Sequence, residues 1–228
     1  MPINNAGLAS RALAVYMKDL RLELRSRAAL NAILLFAVST LAVVSFSFGQ
    51  TDLSPRLLSA LYWVIMFFSA MSGLAHVFVR EEEAGTALAL RLSAQPEAVL
   101  IGKLLLNLTI LILLGAVVTP LFFVFTTLPQ NAHLALFLAV AVLGIGGLCA
   151  ASTLVGAIIA RSAVRGALFA VLAFPVLVPL LLVAVGGGDK ALDGYALAEL
   201  SAELQFLVAY LVAMTVGSVM LFRFVWTD

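Results

Sequence analysis

Apolar residues fill six long blocks of this chain, and charged residues lie between the blocks. The blocks run from Ala28 to Phe48, Leu57 to Val79, Leu104 to Leu128, Leu134 to Ala160, Ala167 to Val185 and Leu204 to Phe222. Each is close to or longer than the roughly 20 residues that a helix needs to cross a hydrocarbon layer about 30 Å thick. No Asp, Glu, Lys or Arg interrupts them, so we predict an all-α integral membrane protein of six transmembrane helices.

The basic residues predict how these spans are oriented. Of the 13 Lys and Arg residues, all but Arg56 and Lys190 fall in the terminal segments or in the connections after the second and fourth blocks. Lys and Arg near span ends are retained on the cytoplasmic side. We therefore expect a multi-pass protein of the bacterial inner (plasma) membrane with both termini in the cytoplasm.

Residues 1–27 precede the first span and contain a helix of a different kind. Four apolar residues recur at intervals of four, three and four, and basic residues gather beside them. The apolar stripe is Leu13, Met17, Leu20 and Leu24, and the cations include Lys18, Arg21 and Arg25. This pattern predicts an amphipathic helix on the membrane surface, with its cations among lipid head groups. Alternatively, these charges only set the topology.

The connection between the second and third spans, residues 80–103, is too long for a turn. It predicts a short amphipathic helix held between the two spans, with Gly85 permitting a break and Pro96 starting the next helix. A soluble partner could bind this helix, although a solvated acidic hairpin without a partner fits the same charges. The candidate partner-binding residues are Glu81, Glu82, Glu83, Gly85, Thr86, Leu88, Arg91 and Leu92.

Two prolines lie four residues apart in the fifth span. Pro175 and Pro179 each remove a helical hydrogen bond, so we expect a kink or local unwinding. The pair is a candidate hinge, and a static kink that shapes packing is the alternative. After this span, Gly186 to Gly188 are expected to release the chain into an acidic outer loop.

Several chemistries are excluded by what the sequence lacks. No G-x-x-x-x-G-K-[ST] phosphate loop is present, so ATP is expected to bind elsewhere. The spans hold one His and no acid, which leaves no clustered nucleophile, base or metal ligands for an intramembrane enzyme. Cys149 is the only thiol, and the net charge of +1 gives no reason to expect nucleic-acid binding.

The order of these elements resembles the permease of a type-2 ABC exporter. Four features make the chain resemble one family of this class in particular, the haem-exporter B family, CcmB. The resemblance covers nearly the whole chain, apart from about the first dozen residues. They are the run KDLRLELR from Lys18 to Arg25, the REEEAGT loop from Arg80, Gly166 after a short basic loop, and FPVLVPL with Pro175 and Pro179.

This resemblance implies a non-catalytic permease subunit for haem export or haem-chaperone release in cytochrome c maturation. It implies a separate CcmA-like ABC ATPase that acts on the loop 80–103, CcmC-like and CcmD-like subunits, a CcmE-like haem chaperone and a homodimer within the complex. Haem would be cargo, and His133 in an outer loop is the candidate haem contact. A permease for another amphiphilic cargo, a lipid, glycan or drug, is the alternative.

Overall fold

The computed structural model of the chain describes residues 7–48, 53–74, 85, 90, 94–159 and 165–227. Those residues form seven α-helices and no β-strand. In chain order the helices are α1 (Leu8–Ser26), α2 (Ala28–Phe48), α3 (Pro55–Leu74), α4 (Pro96–Phe125), α5 (Leu134–Ile159), α6 (Arg165–Leu192) and α7 (Leu197–Thr227). The predicted all-α fold is confirmed.

The helices that follow α1 correspond to the six predicted spans. In the described chain five helices are long and apolar enough to cross a membrane, and they lie within α2, α4, α5, α6 and α7. The remaining predicted span falls on α3, whose apolar part, Pro55–Met71, is shorter. This set of helices is consistent with a six-span membrane protein.

Helix α4 begins where the sequence predicts it. Pro96 occupies the first turn after Gln95, which has an extended backbone, and Glu97 follows. Proline fits this position because its missing N–H would have no helical acceptor, and a carboxylate is favourable at the positive end of a helix. The helix then runs for 30 residues to Phe125. The end of the 80–103 connection and the third span are therefore one continuous helix.

The expectation that Gly186 to Gly188 end the fifth span is wrong. Helix α6 continues to Leu192, and the turn falls at Gly194, which has a φ of +87°. The space that a Cβ on Gly188 would need is filled by the Ser59 side chain from α3. Gly188 therefore permits close packing between α6 and α3, and this role depends on a neighbouring helix that local sequence does not reveal.

Helix α5 lies at the centre of the bundle and packs against α3, α4, α6 and α7. The indole of Trp63 occupies the space that a Cβ on Gly144 would need. A Cβ on Gly147 would lie 2.8 Å from Leu180 Cδ1. Small residues allow helices to approach closely where lipid supplies no hydrophobic drive for association. Gly144 and Gly147 thus let Trp63 of α3 and Leu180 of α6 lie against the backbone of α5.

Replacing Gly144 with alanine is expected to destabilise the protein. The added methyl group would overlap the Trp63 indole, and overpacking of this kind costs about 1–3 kcal/mol. Gly217→Ala is the matched control, because nothing lies within 4 Å of the Cβ that it adds. Thermal unfolding in detergent should show a lower Tm for Gly144→Ala and an unchanged or higher Tm for Gly217→Ala. Equal Tm values for the two variants would contradict this packing.

Candidate coupling site

An apolar cluster lies at the end of the bundle where α1 packs, and we call it the basal cluster. It joins α1, the connection between α3 and α4, and the ends of α4, α5 and α7. Its buried members are Val15, Leu90, Val99, Leu100, Ala157 and Phe222, with Ala94 packed against them. Leu90 belongs to the predicted partner-binding connection, residues 80–103. The connection 80–103 and four helices thus contribute to one apolar cluster.

Most residues predicted to bind a partner lie outside the described residues. These are Glu81, Glu82, Glu83, Thr86, Leu88, Arg91 and Leu92. Gly85 is described and is exposed. Its φ of +67° lies in the left-handed region, which glycine adopts without the steric cost that a side chain brings. This conformation agrees with the break expected at Gly85.

Helix α1 has three chemically different sides, set by its turn of roughly 100° per residue. The side against the protein carries the buried residues Ala12, Val15, Asp19 and Glu23. A second side exposes the apolar residues Leu13, Met17 and Leu24, while Leu20 beside them is partly buried. A third side exposes the cations Lys18, Arg21 and Arg25. The predicted apolar stripe and cationic stripe are thus both present. The buried acidic side, with Asp19 and Glu23, was not predicted.

The acidic side of α1 forms a buried ion pair with the start of α4. Lys103 Nζ lies 2.9 Å from Asp19 Oδ2, and the two side chains are only 2% and 6% exposed. Lys18 Nζ lies 3.1 Å from Asp19 Oδ1, but the Lys18 side chain is 41% exposed. Removing one member of a buried ion pair leaves a charge that is costly to bury. Asp19 and Lys103 therefore fix α1 against α4.

Uncharged contacts extend the α1–α4 interface on both sides of the ion pair. A Cβ on Gly102 would lie 2.8 Å from Val15 Cβ, so the two helices touch there. Farther along α4, the Tyr16 hydroxyl and the Thr109 hydroxyl lie 3.2 Å apart and share a hydrogen bond. These contacts spread the interface over about two turns of α4.

Sequence reasoning missed the Asp19–Lys103 pair. The available signal was the spacing of Asp19 and Glu23, four residues apart and thus on one side of α1. That side differs from the one carrying the apolar stripe. Glu23 Oε1 accepts a hydrogen bond from the Leu30 backbone N–H, 3.1 Å away. The acidic side therefore contacts both α4 and the first turn of α2.

The two prolines of the candidate hinge lie within a continuous helix. α6 passes through Pro175 and Pro179 without interruption, so the helix is not unwound there. Both prolines are exposed. The Tyr210 hydroxyl of α7 donates a hydrogen bond of 2.7 Å to the Val176 carbonyl, between the prolines. Neighbouring side chains commonly satisfy backbone groups near prolines in membrane helices.

The opposite end of the bundle, which we call the hairpin end, is held together by direct hydrogen bonds. Asn131 Nδ2 donates to the Asp193 carbonyl at 2.7 Å. Lys190 Nζ lies 2.7 Å from Glu203 Oε1 and donates to the Glu199 carbonyl at 2.9 Å. These bonds join the α4–α5 connection to the α6–α7 turn and join α6 to α7.

His133, the candidate haem contact, lies at this hairpin end and is exposed. Its backbone N–H donates to the Ala191 carbonyl at 2.8 Å. Within the described ranges, no group of three or more His, Cys, Asp or Glu side chains could hold a metal ion. His76, the other histidine, lies outside the described residues. A haem contact at His133 thus stays a prediction.

Comparison with known proteins identifies one family. The family model described as CcmB protein matches residues 10–228, which includes α1, the basal cluster and the hairpin end. No curated protein matches the chain significantly. The family match confirms the resemblance drawn from the KDLRLELR, REEEAGT and FPVLVPL runs.

Replacing Asp19 with asparagine should strongly destabilise the protein. The buried Lys103 would lose the Asp19 carboxylate, and removing one member of a buried pair costs about 3–5 kcal/mol. In Asp19→Leu/Lys103→Met both charges are gone, and apolar replacement of a buried pair is often neutral or stabilising. Thermal unfolding in detergent should therefore give a clearly higher Tm for the double variant than for Asp19→Asn. A double variant no more stable than Asp19→Asn would contradict the assignment of Asp19 and Lys103 as a buried ion pair.

Proposed function

This chain belongs to the CcmB family, and we propose that it is the permease subunit of an ABC transport complex acting on haem or a haem chaperone in cytochrome c maturation. The single observation that carries the coupling part of this proposal is the basal cluster. Leu90, from the connection 80–103, is buried in one apolar cluster with residues of α1, α4, α5 and α7. A force applied to that connection would reach most of the bundle.

The proposed source of that force is a separate CcmA-like ATPase. The chain lacks a phosphate loop, so ATP would be bound and hydrolysed by that partner. The ATPase would contact the acidic and amphipathic residues between Glu81 and Leu92 on the cytoplasmic side. Two copies of the chain would pair with two ATPase subunits, and CcmC-like, CcmD-like and CcmE-like proteins would handle the haem.

The proposed orientation agrees with the placement of charge in the structure. Lys18, Arg21 and Arg25 lie on α1 at one end of the bundle. Lys190 lies at the hairpin end, where Glu203 pairs with it. The end carrying α1 would be cytoplasmic, with the apolar stripe of α1 in the interfacial lipid and its cations among anionic head groups.

The coupling role is tested by removing the acidic run of the connection. We expect Glu81→Ala/Glu82→Ala/Glu83→Ala to weaken ATPase binding by about tenfold or more, the effect of losing about 1.4 kcal/mol. Co-purification of the ATPase with the membrane subunit measures this loss. Asp193→Ala, an exposed acid in the α6–α7 turn, is the matched control and should bind normally. Equal recovery of ATPase from both variants would contradict the proposal.

The cargo is tested by deleting the gene that encodes the chain. The proposal predicts that the deletion strain makes no c-type cytochromes, as measured by haem staining of membrane proteins, and that the intact gene restores them. Normal cytochrome c levels in the deletion strain would contradict a haem role. A permease of the same class for a lipid, glycan or drug would then be the better assignment.

The hinge role proposed for Pro175 and Pro179 has a separate test. Pro179→Ala restores a backbone N–H that can bond the Pro175 carbonyl, so the helix should gain up to about 3 kcal/mol. A hinge predicts that c-type cytochrome output falls while the Tm rises. Pro120→Ala, at the interior proline of α4, is the control and should keep its output. An unchanged level of c-type cytochromes with Pro179→Ala would show that the prolines form a static kink and not a hinge.

A further inference from the structure

We propose that the Asp19–Lys103 ion pair joins α1 and the first turns of α4 into one unit that carries the motion of the connection 80–103 to the first span, α2. This inference rests on the proposed coupling function and deepens it. Asp19 and Lys103 are positioning residues in this account, because neither would touch the ATPase or the cargo. Helix α1 thereby becomes part of the coupling apparatus as well as a membrane-surface helix.

The position of Lys103 supports this role. Lys103 is the last residue of the connection 80–103 and lies seven residues after the start of α4 at Pro96, a rise of about 10 Å. A helix transmits displacement along its axis with little internal change, so movement at Pro96 reaches Lys103. The ion pair then delivers that movement to Asp19 on α1.

The contacts around the ion pair make sliding between α1 and α4 costly. Gly102 touches Val15, and Tyr16 shares a hydrogen bond with Thr109. The buried pair adds a charge requirement, because any shift that separates Lys103 from Asp19 loses a close contact between opposite charges in an apolar setting. The two helix segments are therefore expected to move together.

Helix α2 contributes none of the described residues of the basal cluster, although it packs against α4. Helix α1 provides a further link, because Val15 belongs to the cluster with Leu90, while Glu23 Oε1 accepts a hydrogen bond from the Leu30 N–H in the first turn of α2. Motion of the connection can thus pass through α1 to the first span.

The first test removes the charge link and measures coupling. In Asp19→Asn, the ATPase should still co-purify and hydrolyse ATP, while ATP-driven release of the haem chaperone falls about five- to tenfold, a typical size for an energetic coupling. Two matched controls should keep normal release. Asp193→Asn removes an exposed acid of the α6–α7 turn, and Glu203→Gln breaks an ion pair at the hairpin end.

These readouts separate failure of this inference from failure of the proposed function. Release by Asp19→Asn that equals release by both controls, with the ATPase bound, would overturn the ion pair's role alone. Absence of the ATPase from the wild-type complex would overturn the proposed function and this inference with it.

A second test asks whether α1 and α4 move together, and it applies even if Asp19→Asn does not accumulate. In a Cys149→Ala background, Val15→Cys/Gly102→Cys places two thiols at the closest approach of the helices. A Cβ at residue 102 would lie 2.8 Å from Val15 Cβ and 2.9 Å from the Ala12 carbonyl oxygen. Helices α1 and α4 must therefore separate by about 1 Å to reach the roughly 3.5–4.5 Å between the Cβ atoms of a disulfide. The oxidised complex, in lipid nanodiscs, should still release the chaperone on adding ATP. Loss of release on oxidation, with recovery on reduction, would show that α1 moves against α4 and would overturn the inference.

Discussion

Lys103 carries a charge near the start of a 30-residue apolar helix, and the structure at that end of the bundle follows from the need to pair it. Asp19 supplies the counter-charge from α1. An ion pair buried beside apolar spans is tolerated only when its members remain close and hydrogen-bonded. That requirement orients α1, so that its acidic side faces the protein while its apolar and cationic sides are exposed.

The two ends of the bundle differ in how they are held. At the hairpin end, Asn131 joins one connection to the next through a direct hydrogen bond, and Lys190 bonds two groups of α7. At the other end, the basal cluster gathers α1, α4, α5 and α7 around Leu90. Apolar contacts lack the directional preference of hydrogen bonds. The hairpin end is thus suited to hold the spans together, and the basal end is suited to receive force.

The spans could be predicted from the sequence because charged residues are costly in lipid, so that each span is an uncharged apolar run of about 20 residues. Sequence patterning also located the start of α4, since Pro96 and Glu97 satisfy local rules for a helix N-terminus. It failed at Gly186 to Gly188, because α6 continues to Leu192 and Gly188 packs against Ser59 of α3. It missed Asp19 and Lys103 as a pair because they lie 84 residues apart in the sequence and meet only through tertiary packing. All of the predicted ATPase contacts, from Glu81 to Leu92, remain predictions.

The proposed coupling to an ATPase requires that the connection 80–103 face the cytoplasm, where an ATPase can reach it. Labelling single cysteines in a Cys149→Ala chain with a membrane-impermeant maleimide tests this orientation in intact cells. Glu82→Cys should react only after the cells are opened, whereas Tyr195→Cys, exposed in the α6–α7 turn, should react from the periplasm. Labelling of Glu82→Cys from the periplasmic side would contradict the account, because no cytoplasmic ATPase could then act on this connection.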